Sequence, residues 1–98
     1  MIEKYLPIGT VVTLKKGTKK IMITGYLPTT EDNKVFEYSA CLFPEGVISS
    51  DEVLVFNQDQ IDTIHYLGLS DQDYKDFNKE IKKTIQNIKN IEQQNSKE

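Results

Sequence analysis

Tyr5-Leu6-Pro7-Ile8-Gly9-Thr10-Val11-Val12-Thr13-Leu14-Lys15-Lys16-Gly17-Thr18-Lys19-Lys20-Ile21-Met22-Ile23-Thr24-Gly25-Tyr26 is the stretch from which the fold is read. Pro7 holds Leu6 extended, and Gly9 lets the chain turn into a first strand. Thr10–Lys15 is β-branched and alternates, with Val12 and Leu14 on one side and Val11 and Thr13 on the other. Lys16-Gly17-Thr18 reads as a hairpin loop in which Gly17 takes the positive φ. Lys19–Leu27 is the returning strand. Ile21, Ile23 and Leu27 share one face, Met22 and Tyr26 the other, and Gly25 marks a bulge or sharp bend.

Pro28–Asn33 is a polar loop. Val35–Phe43 is apolar on both faces, as expected of an interior strand covered on both sides. Phe36, Tyr38, Ala40 and Leu42 fall on one face, and Val35, Ser39, Cys41 and Phe43 on the other. Pro44-Glu45-Gly46 is a turn. Val47-Ile48 reads as a short strand, followed by Val53–Phe56, a turn at Asn57–Gln60, and a last strand over Ile61–Tyr66. Five or six short strands with tight connections predict an antiparallel β-meander, either a small curved sheet or a partly open barrel.

One long C-terminal helix follows. Ser70 is placed to cap it, with Asp73 at the reciprocal position and acids suited to the positive end of the dipole. Tyr74, Phe77, Ile81, Ile85, Ile88 and Ile91 step by three or four residues and form one stripe. The expected class is therefore α+β in one folded unit. An antiparallel β domain occupies residues 1–69, an amphipathic helix packed on it residues 70–93, and a frayed tail residues 94–98. Residues 71–91 as one helix span ~30 Å at ~1.5 Å per residue, whereas a six-residue strand spans only ~20 Å. Tyr74, Phe77 and Ile81 are then the sheet-facing residues, and Ile85, Ile88 and Ile91 overhang the sheet edge. An overhanging isoleucine seam suits a partner helix or a second copy of the chain. The alternative is that the whole stripe packs on its own sheet.

With 98 residues, 38% of them hydrophobic and 28% charged, the chain has the composition of a folded domain. No apolar run approaches the ~18 residues of a bilayer span, and Met1–Lys4 lacks the basic and apolar regions of a cleaved signal peptide. Cys41 is the lone cysteine, consistent with a reducing cytoplasm. The net charge of −3 is unevenly spread: residues 1–29 carry five Lys and one Glu, residues 30–69 one Lys and eight acids, and residues 70–98 six of each sign. There is no Arg, the side chain best suited to bidentate phosphate and base contacts. The acidic middle segment would repel a phosphate backbone. The basic edge at Lys15, Lys16, Lys19 and Lys20 reads as a solvated hairpin tip.

Catalytic chemistry is not evident. His65 is the only histidine and reads as a half-exposed strand residue. Cys41 reads as an inert buried thiol. The acids Glu31-Asp32, Asp51-Glu52 and Asp59/Asp62 lack calcium-loop spacing, zinc would need a second histidine, and no phosphate-loop motif exists. No cofactor and no enzymatic activity are expected.

Tyr5–Val12, followed by Leu14-Lys15, Gly17, Lys20, Met22-Ile23 and Gly25, resembles a small domain-of-unknown-function family of Gram-positive bacteria. Tyr38, Pro44-Glu45-Gly46 and Phe56-Asn57 ahead of Ile61 fit the same pattern, so the likeness covers about residues 5–66. Members are typically encoded beside LXG-type toxins of the type VIIb secretion system. The resemblance implies a small cytoplasmic accessory protein that binds the helical N-terminal LXG domain of a toxin as chaperone or export-targeting adaptor, without catalytic residues. Set beside the isoleucine seam, it suggests a contact through Ile81, Ile85, Ile88 and Ile91, with Lys82 and Lys89 as rim. A strand edge or the Lys15–Lys20 hairpin is the alternative contact. The competing function is a self-associating or nucleic-acid-binding small β-module.

Overall fold

A computed structural model describes residues 5–50 and 53–96, with side chains along the C-terminal helix described through residue 88. The expectations placed on Met1–Lys4, Asp51-Glu52 and the Ile91 and Lys89 side chains lie outside the described residues.

Five strands form one antiparallel sheet: β1 (Val11–Leu14), β2 (Ile21–Tyr26), β3 (Tyr38–Leu42), β4 (Leu54–Phe56) and β5 (Ile61–Tyr66). The spatial order is β4-β3-β2-β1-β5. β1 to β4 are a meander in which each strand pairs with the one before it, and β5 returns to the far side of β1. The link from β4 to β5 is only Asn57 and a 3₁₀ turn, Gln58–Gln60. Such a turn advances ~2 Å per residue, whereas the outer strands of a flat five-stranded sheet stand ~19 Å apart at ~4.8 Å per strand. The sheet therefore curls so that its two edges approach at this end. Lys15 N donates to Gln60 O at 2.8 Å, seating the turn against the end of β1. β4 and β5 do not pair, so the sheet stays open and is not a closed barrel.

Val12, Ile21, Ile23, Tyr38, Ala40 and Phe56 make the core on the concave face, with Tyr5 and Ile81 added from outside the sheet. The opposite face also buries Val11 and Cys41, flanking Met22 in register. The bulge expected at Gly25 is present as a register shift between Ile23 and Gly25. It reverses the alternation, so Tyr26 lies on the core face against Tyr38, ring centroids 6.0 Å apart, instead of beside Met22. In the β1–β2 hairpin it is Lys16, φ +67°, that takes the left-handed position, and not Gly17. Val47 and Ile48 form no strand; they are 70% and 65% exposed in the loop after β3, which leaves five strands.

The helix α1 runs Gln72–Ser96. Its cap is Asp71 in place of Ser70: Asp71 Oδ1 accepts from Tyr74 N at 3.0 Å, satisfying an otherwise free first-turn donor. The buried line of α1 also differs from the apolar stripe. Asn78 and Ile81 are buried, while Phe77 is 54% exposed. Asn78 displaces Phe77 because the Tyr5 backbone, enclosed by the core, needs polar partners. Tyr5 N donates to Asn78 Oδ1 at 3.0 Å, and Asn78 Nδ2 donates to Tyr5 O at 3.0 Å. The Tyr74 hydroxyl donates to the same carbonyl.

Candidate docking cleft

C-terminal to the buried Ile81, the apolar stripe of α1 is only partly covered. Ile85 is half-buried and still packs against the core. Ile88 is half-buried and stands outside that cluster. Together they form one wall of a cleft of about 300 Å³, faced by Leu27, Val35, Phe36, Glu37, Asn57 and Asp59. The opposite wall thus comes from the β2–β3 connection and the 3₁₀ turn. Leu27 adopts φ +57°, which bends the chain out of β2 at the cleft margin.

Hydrogen bonds fix this wall. Glu37 N donates to Asn57 Oδ1 at 3.0 Å, and Gln58 N donates to Glu37 Oε1 at 2.8 Å. Asn57 N donates to Gln60 Oε1 at 2.8 Å, closing the turn on itself. The Tyr38 hydroxyl accepts from Leu6 N at 2.9 Å and donates to Gln58 Oε1. One buried phenol therefore joins the N-terminal segment, β3 and the turn. Burial pushes the Tyr5 hydroxyl up to about 12, with the nearby Glu37 carboxylate adding to the rise. Burial likewise raises Tyr38 and takes Tyr26 up to about 12. These phenols therefore stay protonated, able to donate, at any ordinary pH.

The cleft is part apolar and part acidic, and its walls are held before any ligand arrives. Of its polar side chains, Glu37 and Asn57 are already engaged in structure, and Asp59 is exposed. It therefore offers contact area and charge, with no nucleophile–base pair and no oxyanion donors. Among the described residues, no group of three or more His, Cys, Asp or Glu side chains could hold a metal ion. Cys41 is buried. His65 is exposed, and its Nε2 lies 3.3 Å from Thr13 Oγ1. Among the described residues, no helix is long and apolar enough to cross a membrane.

Of the residues expected to meet a partner, Ile85 and Ile88 are brought together in the cleft. Ile81 is only 4% exposed and belongs to the core, because α1 crosses the sheet there. Lys82 is exposed but stands on another flank of α1, beside Lys75, Asn78 and Lys79. Sequence reasoning missed the facing wall. The strand expected over Val35–Phe43 is paired only over Tyr38–Leu42, which leaves the apolar Val35 and Phe36 in the connection ahead of the ladder, where they line the cleft.

The family model for a domain of unknown function, DUF4176, matches residues 5–77. The chain belongs to this family. The matched span holds the whole DUF4176 sheet and ends at Phe77, so Ile85 and Ile88 lie C-terminal to it. No curated protein matches the chain, and no solved structure matches it.

Proposed function

We propose that this protein is a non-enzymatic accessory protein of a type VIIb secretion system. It acts in the cytoplasm, where it binds the helical N-terminal LXG domain of a toxin as chaperone or export-targeting adaptor. Support for the client comes from the resemblance over residues 5–66 to a family typically encoded beside such toxins. The observation that carries the binding mode is the open cleft beside Ile85 and Ile88. Two isoleucines three residues apart form a ridge of the spacing that helices use to pack on one another. Val35 and Phe36 face that ridge across a gap one apolar side chain can fill. Ile91 and Lys89 continue the seam in sequence and are assigned to the same contact.

The test is co-elution with the LXG domain encoded in the neighbouring gene. A 1:1 or 2:2 complex is expected on size exclusion. Ile88→Asp and Val35→Asp should each abolish it while leaving thermal unfolding within a few degrees, since neither residue belongs to the core cluster. A complex that withstands both substitutions, or salt-sensitive binding to RNA in its place, would overturn the proposal.

A further inference from the structure

A second depression lies along the first half of α1, and it is the more apolar of the two. Ile8, Gly25, Tyr26, Leu69, Tyr74 and Phe77 line a groove of about 480 Å³. Ile8 is 50%, Phe77 54% and Leu69 76% exposed, so its walls are large apolar side chains left in water. Hydrogen bonds hold its aromatic wall in place. The Tyr26 hydroxyl donates to Leu6 O and the Tyr74 hydroxyl to Tyr5 O, so both phenols turn their polar ends inward and show the groove their rings. The Tyr26 ring also stacks at a tilt on Phe77, centroids 5.9 Å apart.

The charges beside this groove are sorted. Asp73 and Glu80 lie four residues before and three after Phe77, hence on its flank of α1, with Asp76 next to it. All three are exposed. Glu80 meets Lys83 at a loose 3.7 Å, Asp76 accepts from Gln72 Nε2 at 2.9 Å, and Asp73 is in no ion pair among the described residues. No lysine lines the groove. Lys75, Lys79 and Lys82 gather instead around a separate depression on another flank of the helix.

We propose that this groove is a docking surface for an amphipathic helix of a partner protein whose apolar ridge is bordered by Lys or Arg. The apolar walls receive the ridge, and Asp73, Asp76 and Glu80 meet the cations. A second copy of the chain does not fit. A two-fold contact here would set those three acids against the same three acids of the other copy. The inference uses a different set of residues from the Ile85–Ile88 cleft and does not depend on the secretion reading.

The test titrates the full chain with a designed helical peptide of about 18 residues, Leu on one face and Lys on both flanks, and with its counterpart carrying Glu for Lys. The Lys peptide should bind roughly tenfold or more tightly than the Glu peptide, the sum of two or three exposed charge pairs. Asp73→Lys with Glu80→Lys should invert that preference by a similar factor, which a merely structural role for these acids would not do. Leu69→Lys should abolish binding of the Lys peptide with the melting temperature unchanged. Equal affinity for the two peptides overturns the proposal, as does a preference unmoved by the charge reversal or binding that survives Leu69→Lys. A dimer in sedimentation that Leu69→Lys dissociates also overturns it, in favour of a second copy at this face.

Discussion

Replacing Asn78 with alanine isolates the contact that fastens α1 to the N-terminal segment. The substitution deletes two buried hydrogen bonds to the Tyr5 backbone, each 3.0 Å. Tyr5 O keeps the Tyr74 hydroxyl, so the group left without a partner is Tyr5 N–H. A lost bond costs ~1 kcal/mol net, and an orphaned buried donor carries a desolvation penalty of ~1–3 kcal/mol. Alanine returns about 0.5 kcal/mol of helix propensity. The balance is a loss of about 2–3 kcal/mol. At roughly 4–8 °C per kcal/mol in a domain of this size, the melting temperature should fall by roughly 10–20 °C. Thermal and urea melts followed by far-ultraviolet circular dichroism read this directly. Asn87→Ala is the control, since Asn87 is exposed on the same helix; it should be neutral or slightly stabilising. If Asn78→Ala melted within about 2 °C of Asn87→Ala, the claim that this amide pins the helix would be refuted.

Further expectations concern the core and the phenols. Tyr5 and Tyr26 have folded-state pKa values near 12 against the ordinary 10.0. Their contribution to stability is therefore complete below pH 10 and lost as pH climbs through about 12. Alkaline titration should show phenolate absorbance rising together with loss of the fold, and independent ionisation of all five tyrosines near pH 10 in a folded chain would contradict it. At Gly25 an added Cβ would sit 2.7 Å from Ser39 Oγ. Gly25→Ala should cost about 1–3 kcal/mol, and Ser39→Ala in the same chain should recover most of the loss in urea melts. At Gly68 the obstacle is backbone, Ile8 O at 2.2 Å. Gly68→Ala should destabilise more than Gly25→Ala, and no side-chain truncation should rescue it.

How far the sequence carries can be seen residue by residue. Alternation marks β1 and β2, apolar β-rich runs mark β3 and β4, and the strand read over Ile61–Tyr66 agrees with β5 at both ends. The bulge at Gly25 is legible too, since an isolated glycine in a strand announces one. Its consequence is harder to read, because one extra residue reverses the facing of every position beyond it, and so Tyr26 changes sides. Ile81 is legible as buried, and Tyr74 as partly buried, from the helical period. Asn78 is not, because its partner is the Tyr5 backbone 73 residues away, and propensity says nothing of a distant carbonyl. The cleft is half legible. The helical period puts Ile85 and Ile88 on one line, whereas Leu27, Val35 and Asp59 join them only through the curl of the sheet. That curl is set by the shortness of the β4–β5 link.

Hydrogen exchange of the chain with and without the neighbouring LXG domain reports whether the proposed Ile85–Ile88 cleft is where that domain binds. Backbone amides of residues 27–37 and 81–88 should gain protection in the complex while the Lys15–Lys20 hairpin exchanges as before. Unchanged exchange across both segments, in a sample where the two proteins demonstrably bind, would contradict it.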